Sequence, residues 1–183
     1  MRQRADRSDD RPKGFVESGT RPAALYTAEE RARRNASPWT LVQGVLAPLQ
    51  FLVFVVSVAL VLRFLATGEG LFAATVSIVI KTFVLYTIMV TGSIWEKEVF
   101  GVYLFARPFF WEDVFSMAVL ALHTAYLVAL WTGSLSAVQQ MYLALAAYAT
   151  YLINAGQFLL KLRAARLQAQ ADADLPDAAG ARA

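Results

Sequence analysis

The chain has 183 residues, of which 57% are hydrophobic and 17% charged, with a formal net charge of +3 and no cysteine. A soluble domain carries roughly 45–50% apolar and 25% charged residues, so this composition excludes an ordinary soluble catalytic domain. The absence of cysteine excludes disulfides, thiolate metal centres and a cysteine nucleophile together, and the positive charges flank apolar runs instead of forming a stripe, so no nucleic-acid partner is expected.

Residues 1–24, beginning MRQRADRSDDRPK, mix Arg with Asp, lack an apolar run and are expected to be a disordered extension. In LYTAEERARRN, Thr27 and Glu30 have capping-box spacing, which predicts a short interfacial helix with Trp39 at the membrane boundary. Four nearly charge-free stretches follow, at residues 41–62, 71–95, 114–132 and 135–160. Each is long enough to cross a hydrocarbon layer of about 30 Å. Pro48 removes a backbone hydrogen bond from the first span and predicts a kink that neighbouring helices accommodate. Gln43 and Gln50 share a face of that span, predicted to point inward. The small, polar residues 168–183 are expected to form a disordered tail. The expected fold is therefore an all-α integral membrane four-helix bundle spanning residues 25–167. Arg31, Arg33 and Arg34, then Lys97 and Arg107, then Lys161, Arg163 and Arg166 fall on one side of it. The other side has the short connectors TGEG and GSLSAV and Arg63, a bias that predicts both termini on the cytoplasmic side.

Lys81 and His123 lie about 15 Å into the second and third spans. An ionisable group at that depth must face protein or water, so it either serves function or makes an ion pair or interhelical hydrogen bond. The connector IWEKEVFGVYLFARPFFWEDVF repeats an aromatic-plus-carboxylate pattern at Trp95-Glu96-Lys97-Glu98 and Trp111-Glu112-Asp113. Its four carboxylates are unusual beside a membrane, where basic residues are favoured. A carboxyl group next to Trp and Phe is partly desolvated, which suits it to hold and deliver a proton; the alternative is an aromatic belt with solvated acids. By helical phase Glu112 and His123 share one face of the third span, with Ser116 and Tyr126 near it. Lys81 and Glu96 differ by about 60°, with Gly92 between them. These relations predict a pocket between the second and third spans, from the cytoplasmic surface to mid-bilayer. Tyr148, Tyr151, Asn154 and Gln157 of the fourth span either bind a polar substrate edge or join helices. No Walker loop, dinucleotide fingerprint, HExxH or Ser/His/Asp arrangement is present.

The strings LYTAEERARR, WTLVQGVLAPLQFLVF, TGEG, IKTFVLYTIMVTGSIWEKEVFGVYLFA, FFWEDVFS, LHTAYL and AAYATYLINAGQFLLKLR closely resemble the 3-vinyl (also written 2-vinyl) bacteriochlorophyllide hydratases of bacteriochlorophyll biosynthesis. The resemblance covers residues 25–167. It implies addition of water across the C3 vinyl group of chlorophyllide a or 3-vinyl bacteriochlorophyllide a, giving a 3-(1-hydroxyethyl) product. It also implies a multi-pass protein of the bacterial inner membrane, surrounded by lipid and handing pigment to neighbouring biosynthetic enzymes. No cofactor is expected: water is the co-substrate, and magnesium belongs to the substrate macrocycle.

Residue roles follow from the chemistry of the reaction. Hydration needs a proton at the terminal vinyl carbon and a water at the inner one. Glu112 or Glu96 is expected to donate the proton, with the other carboxylates, Asp113 included, stabilising the cation and activating water. Lys97 or Arg107 would bind the substrate edge, with Trp95, Trp111, Tyr126 and Asn154 lining the site. His123 would ligate the substrate magnesium or relay a proton. Lys81 would pair with a substrate carboxylate. Two other classes compete: a noncatalytic pigment-binding or assembly protein using His123, and a proton or ion carrier built on Lys81, Glu96 and His123.

Overall fold

Polar residues lie inside this protein and large apolar ones outside, the reverse of a water-soluble fold. Gln50, Ser57, Lys81, Glu96, Asp113 and His123 are buried, whereas Phe72 and Trp131 are 82% and 92% exposed. Such a distribution is stable when the surroundings are hydrocarbon and each polar group finds a partner within the protein. Four helices are long and apolar enough to cross a membrane. The computed structural model describes residues 25–173. The expected extension at residues 1–24, and the tail beyond 173, lie outside them.

The order is α1 (Ala28–Ala36), α2 (Pro38–Thr67), α3 (Leu71–Phe100), a 3₁₀ turn (Arg107–Phe109) leading into α4 (Phe110–Thr132), and α5 (Ala137–Ala173). α2 packs along α3 and α4 along α5, forming two antiparallel hairpins; α2 then faces α5, and α3 faces α4, to close the four-helix bundle. α1 lies across the end of α3. The predicted capping box is present: the Thr27 hydroxyl accepts from the Glu30 amide at 3.2 Å, and the Glu30 carboxylate accepts from the Thr27 amide at 2.7 Å. Ser37 caps α2 and also hydrogen-bonds Glu98.

The helices run further than the apolar stretches suggested. α3 continues past Trp95 to Phe100, because charged residues do not end a helix; Gly101 does, adopting φ 83° and capping Lys97. Glu96, Lys97 and Glu98 are therefore helical residues, not part of a loop. α4 starts at Phe110, placing Glu112 and Asp113 in its first turn, where acids favour the positive end of the helix dipole. α5 extends to Ala173, past both the expected end of its span at 160 and the start of the expected tail at 168. Ala, Leu, Gln and Arg are strong helix formers, and Pro176 is the next breaker after Gly156. α2 continues without interruption through Pro48, whose ring is on the exposed side.

Two apolar clusters close the ends of the bundle. Phe54, Val61, Phe64, Ala74, Ile78, Met141 and Ala144 pack at the end near the TGEG connector. At the opposite end Tyr26, Val99 and Phe109 form an aromatic cap with Trp95, Phe100 and Phe158. Tyr26 stacks on Phe100 at 5.8 Å, Arg34 lies over its ring, and Arg33 Nε donates to the Val99 carbonyl at 2.9 Å. Gln43 joins α2 to α3 by donating to Thr91 Oγ1 at 2.7 Å, across the space that Gly92 leaves open.

Thr27→Ala removes the cap and should cost α1 about 1 kcal/mol. Hydrogen exchange should then quicken across residues 28–36 while the spans keep their protection. Burial holds the Tyr26 phenol above its ordinary value of 10.0, with Arg34 opposing. The folded state therefore keeps this proton longer than the unfolded chain does, and docking of α1 should weaken as pH rises from 10.0 through the elevated value. Tyr26→Phe should abolish that alkaline loss in the same exchange measurement.

Candidate active site

Three carboxyl groups meet beneath the aromatic cap. Glu96, near the end of α3, and Asp113, at the start of α4, are both buried. The intervening connector holds both acids with successive backbone amides: Phe105 N–H donates to Asp113 Oδ2 at 2.7 Å, and Ala106 N–H to Glu96 Oε2 at 3.3 Å. Phe105, which carries one of these amides, has φ 61°, a left-handed conformation that disfavours a bulky residue. Strain of this kind, about 1–3 kcal/mol, persists where surrounding contacts enforce it. The third carboxyl, Glu112, is paired with Lys161 at 2.6 Å. Lys161 also donates to the Pro108 carbonyl and lies over the Phe109 ring.

A second polar centre lies deeper. Lys81, fully buried, approaches His123 Nε2 at 3.1 Å, and His123 Nδ1 lies 2.8 Å from the Val119 carbonyl. The carbonyl can only accept, so Nδ1 carries the proton and Nε2 accepts from the Lys81 ammonium. Both ring nitrogens of His123 are thus engaged inside the protein. The rings of Tyr151, Tyr148 and Phe54 surround the ammonium, 4.2 Å to 5.9 Å from it. Below them Ser57 links Tyr148 Oη at 2.6 Å to Ser77 at 2.7 Å. Between the two centres Asn154 donates to Ser116 Oγ at 2.8 Å.

The predicted residues therefore separate into three groups. Glu96, Glu112 and Asp113 come together at one end of the bundle, as their shared pattern implied. Lys81 and His123 come together deeper inside, about 16 Å along α4 from Glu112. The inward stripe of α4 is as predicted, with Glu112, Ser116, His123 and Tyr126 all buried, but Tyr126 belongs to the far apolar cluster. Trp95 lies within the aromatic cap and donates to Thr40 at 2.9 Å. Lys97, Arg107 and Trp111 are exposed around the carboxyl end, Lys97 donating to the Gly101 carbonyl at 2.8 Å. Sequence reasoning missed Lys161 as the partner of Glu112, although it lies two turns beyond Asn154 on the same helix face. It also missed Phe105, whose backbone role has no signal in its side chain.

The comparisons with known proteins agree on one family. The family model for 2-vinyl bacteriochlorophyllide hydratase matches residues 26–164. A 2-vinyl bacteriochlorophyllide hydratase of Rhodobacter capsulatus is 72% identical over 149 residues, 81% of this chain and 86% of the relative. One from Cereibacter sphaeroides is 70% identical over 156 residues, 83% of this chain and 97% of the relative. No solved structure matches the chain. With the family model covering all five helices' packed portion, and both carboxyl-bearing segments inside the matched range, the chain belongs to the 2-vinyl bacteriochlorophyllide hydratase family.

Proposed function

We propose that this hydro-lyase adds water across the C3 vinyl group of chlorophyllide a or 3-vinyl bacteriochlorophyllide a, using Glu96 and Asp113 as one acid–base unit. The observation that carries this reading is a pair of buried carboxyls from two helices, each fixed by one of two successive backbone amides. The pair gives its shared proton to the terminal vinyl carbon, whose π electrons form the new C–H bond and leave a cation on the inner carbon. Water attacks that carbon, and the pair takes the released proton back. Atoms balance as one water added per vinyl group, and the pair ends as it began. No cofactor enters; the magnesium stays with the macrocycle.

A flat macrocycle suits the surface beside the pair. Phe105, Phe110 and Trp111 are exposed and adjacent, with ring centroids 5.7 Å and 5.5 Å apart along the series. This aromatic strip runs from the connector that carries the two clamping amides into the first turn of α4, so a ring system resting on it brings its edge to the pair. Lys97 and Arg107 are at the rim, within reach of a substrate carboxylate. The concentration of Lys and Arg at this end supports a cytoplasmic orientation in the bacterial inner membrane, where water and neighbouring biosynthetic enzymes are available. Glu112, neutralised by Lys161, positions the start of α4.

Anaerobic incubation of the detergent-purified protein with chlorophyllide a in heavy-oxygen water should give a product one labelled water heavier, detected by mass spectrometry. Glu96→Gln and Asp113→Asn should each lower kcat about 10²–10⁴-fold, the usual contribution of a general acid or base, while pigment binding persists. Normal turnover in both variants overturns the assignment. Glu112→Gln, by contrast, should mainly lower stability, by roughly 1–3 kcal/mol after allowing for the partial exposure of Lys161. Thermal unfolding should show most of that loss restored in the Glu112→Gln/Lys161→Met double variant.

A further inference from the structure

Among the described residues five buried side-chain atoms have no hydrogen-bond partner within the protein: Tyr126 Oη in the far apolar cluster, and four amide atoms, Nε2 and Oε1 of Gln50, Oδ1 of Asn154 and Oε1 of Gln157. Gln50 is 1% exposed and Asn154 9%. An amide with both ends unpaired is very costly in hydrocarbon, and leucine would fill similar space without that cost.

Their placement follows from the helix register. Phe54 of α2 touches Tyr151 of α5 and lies beside Lys81. Gln50 is one turn before Phe54, and Asn154 one turn after Tyr151. Because α2 and α5 run antiparallel, both steps lead from Lys81 toward the carboxyl end. Gln157 and then Lys161, the partner of Glu112, continue along α5 in the same direction. The unpaired amides thus fill the interval between the two polar centres. Beyond Ser57 and Ser77 the interior is closed by Val61, Ala74, Ile78 and Met141, each fully buried and apolar.

We propose that the bundle interior binds a file of water molecules, entered from the carboxyl end and running past Gln157, Asn154 and Gln50 to the Lys81–His123 pair. Water meets the chemistry of all four amide atoms: it accepts from the Gln50 N–H and donates to the three amide oxygens. The apolar cluster makes the file blind at its far end. This is a binding site within the fold and does not depend on the proposed reaction.

His123 is the single histidine of the chain, so labelling with ¹⁵N-histidine reports on this position alone. In lipid vesicles, water-edited solid-state NMR should show magnetisation passing from water to the His123 ring much faster than to the backbone amides of Val61 and Ala74. Gln50→Leu and Asn154→Leu, which obstruct the file between its entrance and His123, should slow that transfer several-fold. A His123 ring as slow as Val61 in the unsubstituted protein overturns the proposal without any variant. Fast transfer unchanged by either substitution also overturns it, since water would then arrive by another route.

Discussion

Two successive amides, on Phe105 and Ala106, turn into the bundle and hold Asp113 and Glu96 against each other. Those acids come from different helices, so the clamp fixes the end of α3 relative to the start of α4 as well as the pair itself. The sharp exit from α3 at Gly101 and the 3₁₀ turn before α4 lead the connector into this position. The aromatic cap then shields the carboxyl end from α1 and α5. Left in hydrocarbon without these partners, either acid would oppose folding.

The bundle is consequently asymmetric along its axis. One end is apolar and tightly filled, and sets the spacing of the two hairpins. The other is polar, joined by hydrogen bonds such as those of Gln43, Thr40 and Asn154. Lys81 lies at the boundary between them, held by an imidazole and three aromatic rings in place of a carboxylate. Cation–π contacts of this kind are worth more where water is excluded, which lets a lysine persist so far from any acid.

Much of this was legible in the residues themselves. The apolar lengths gave four spans, Thr27 and Glu30 gave the start of α1, and period 3.6 gave the buried face of α4 from Glu112 to Tyr126. Helix ends were less legible, because hydropathy marks where lipid begins and not where backbone hydrogen bonding stops; Glu96 to Phe100 and Gln168 to Ala173 are helical yet polar or mixed. The partners of the charged residues were the least legible. Phase placed Lys81 and His123 at similar depth, but their contact depends on how α3 faces α4, which no single helix encodes. The conformation of Phe105 is imposed by its neighbours, and a phenylalanine codes against it.

Charge balance supports the proposed use of a carboxyl pair over a lone acid. In the proposed mechanism, Glu112 is neutralised by Lys161, and Glu96 and Asp113 share one proton. The site therefore carries one net negative charge beside a neutral vinyl group. Donating the proton raises that to two at the moment when a positive charge forms on the substrate. The attraction is strongest at the transition state and weaker before it, which is the condition for lowering a barrier instead of merely tightening binding. The amides of Phe105 and Ala106 then stabilise the newly ionised oxygens without moving, because they are already aimed at them. In this mechanism the pairing of Lys161 with Glu112 keeps its ammonium from cancelling that negative charge, so the adjacent α4 residues Glu112 and Asp113 take separate tasks, one in the ion pair and one with Glu96 of α3.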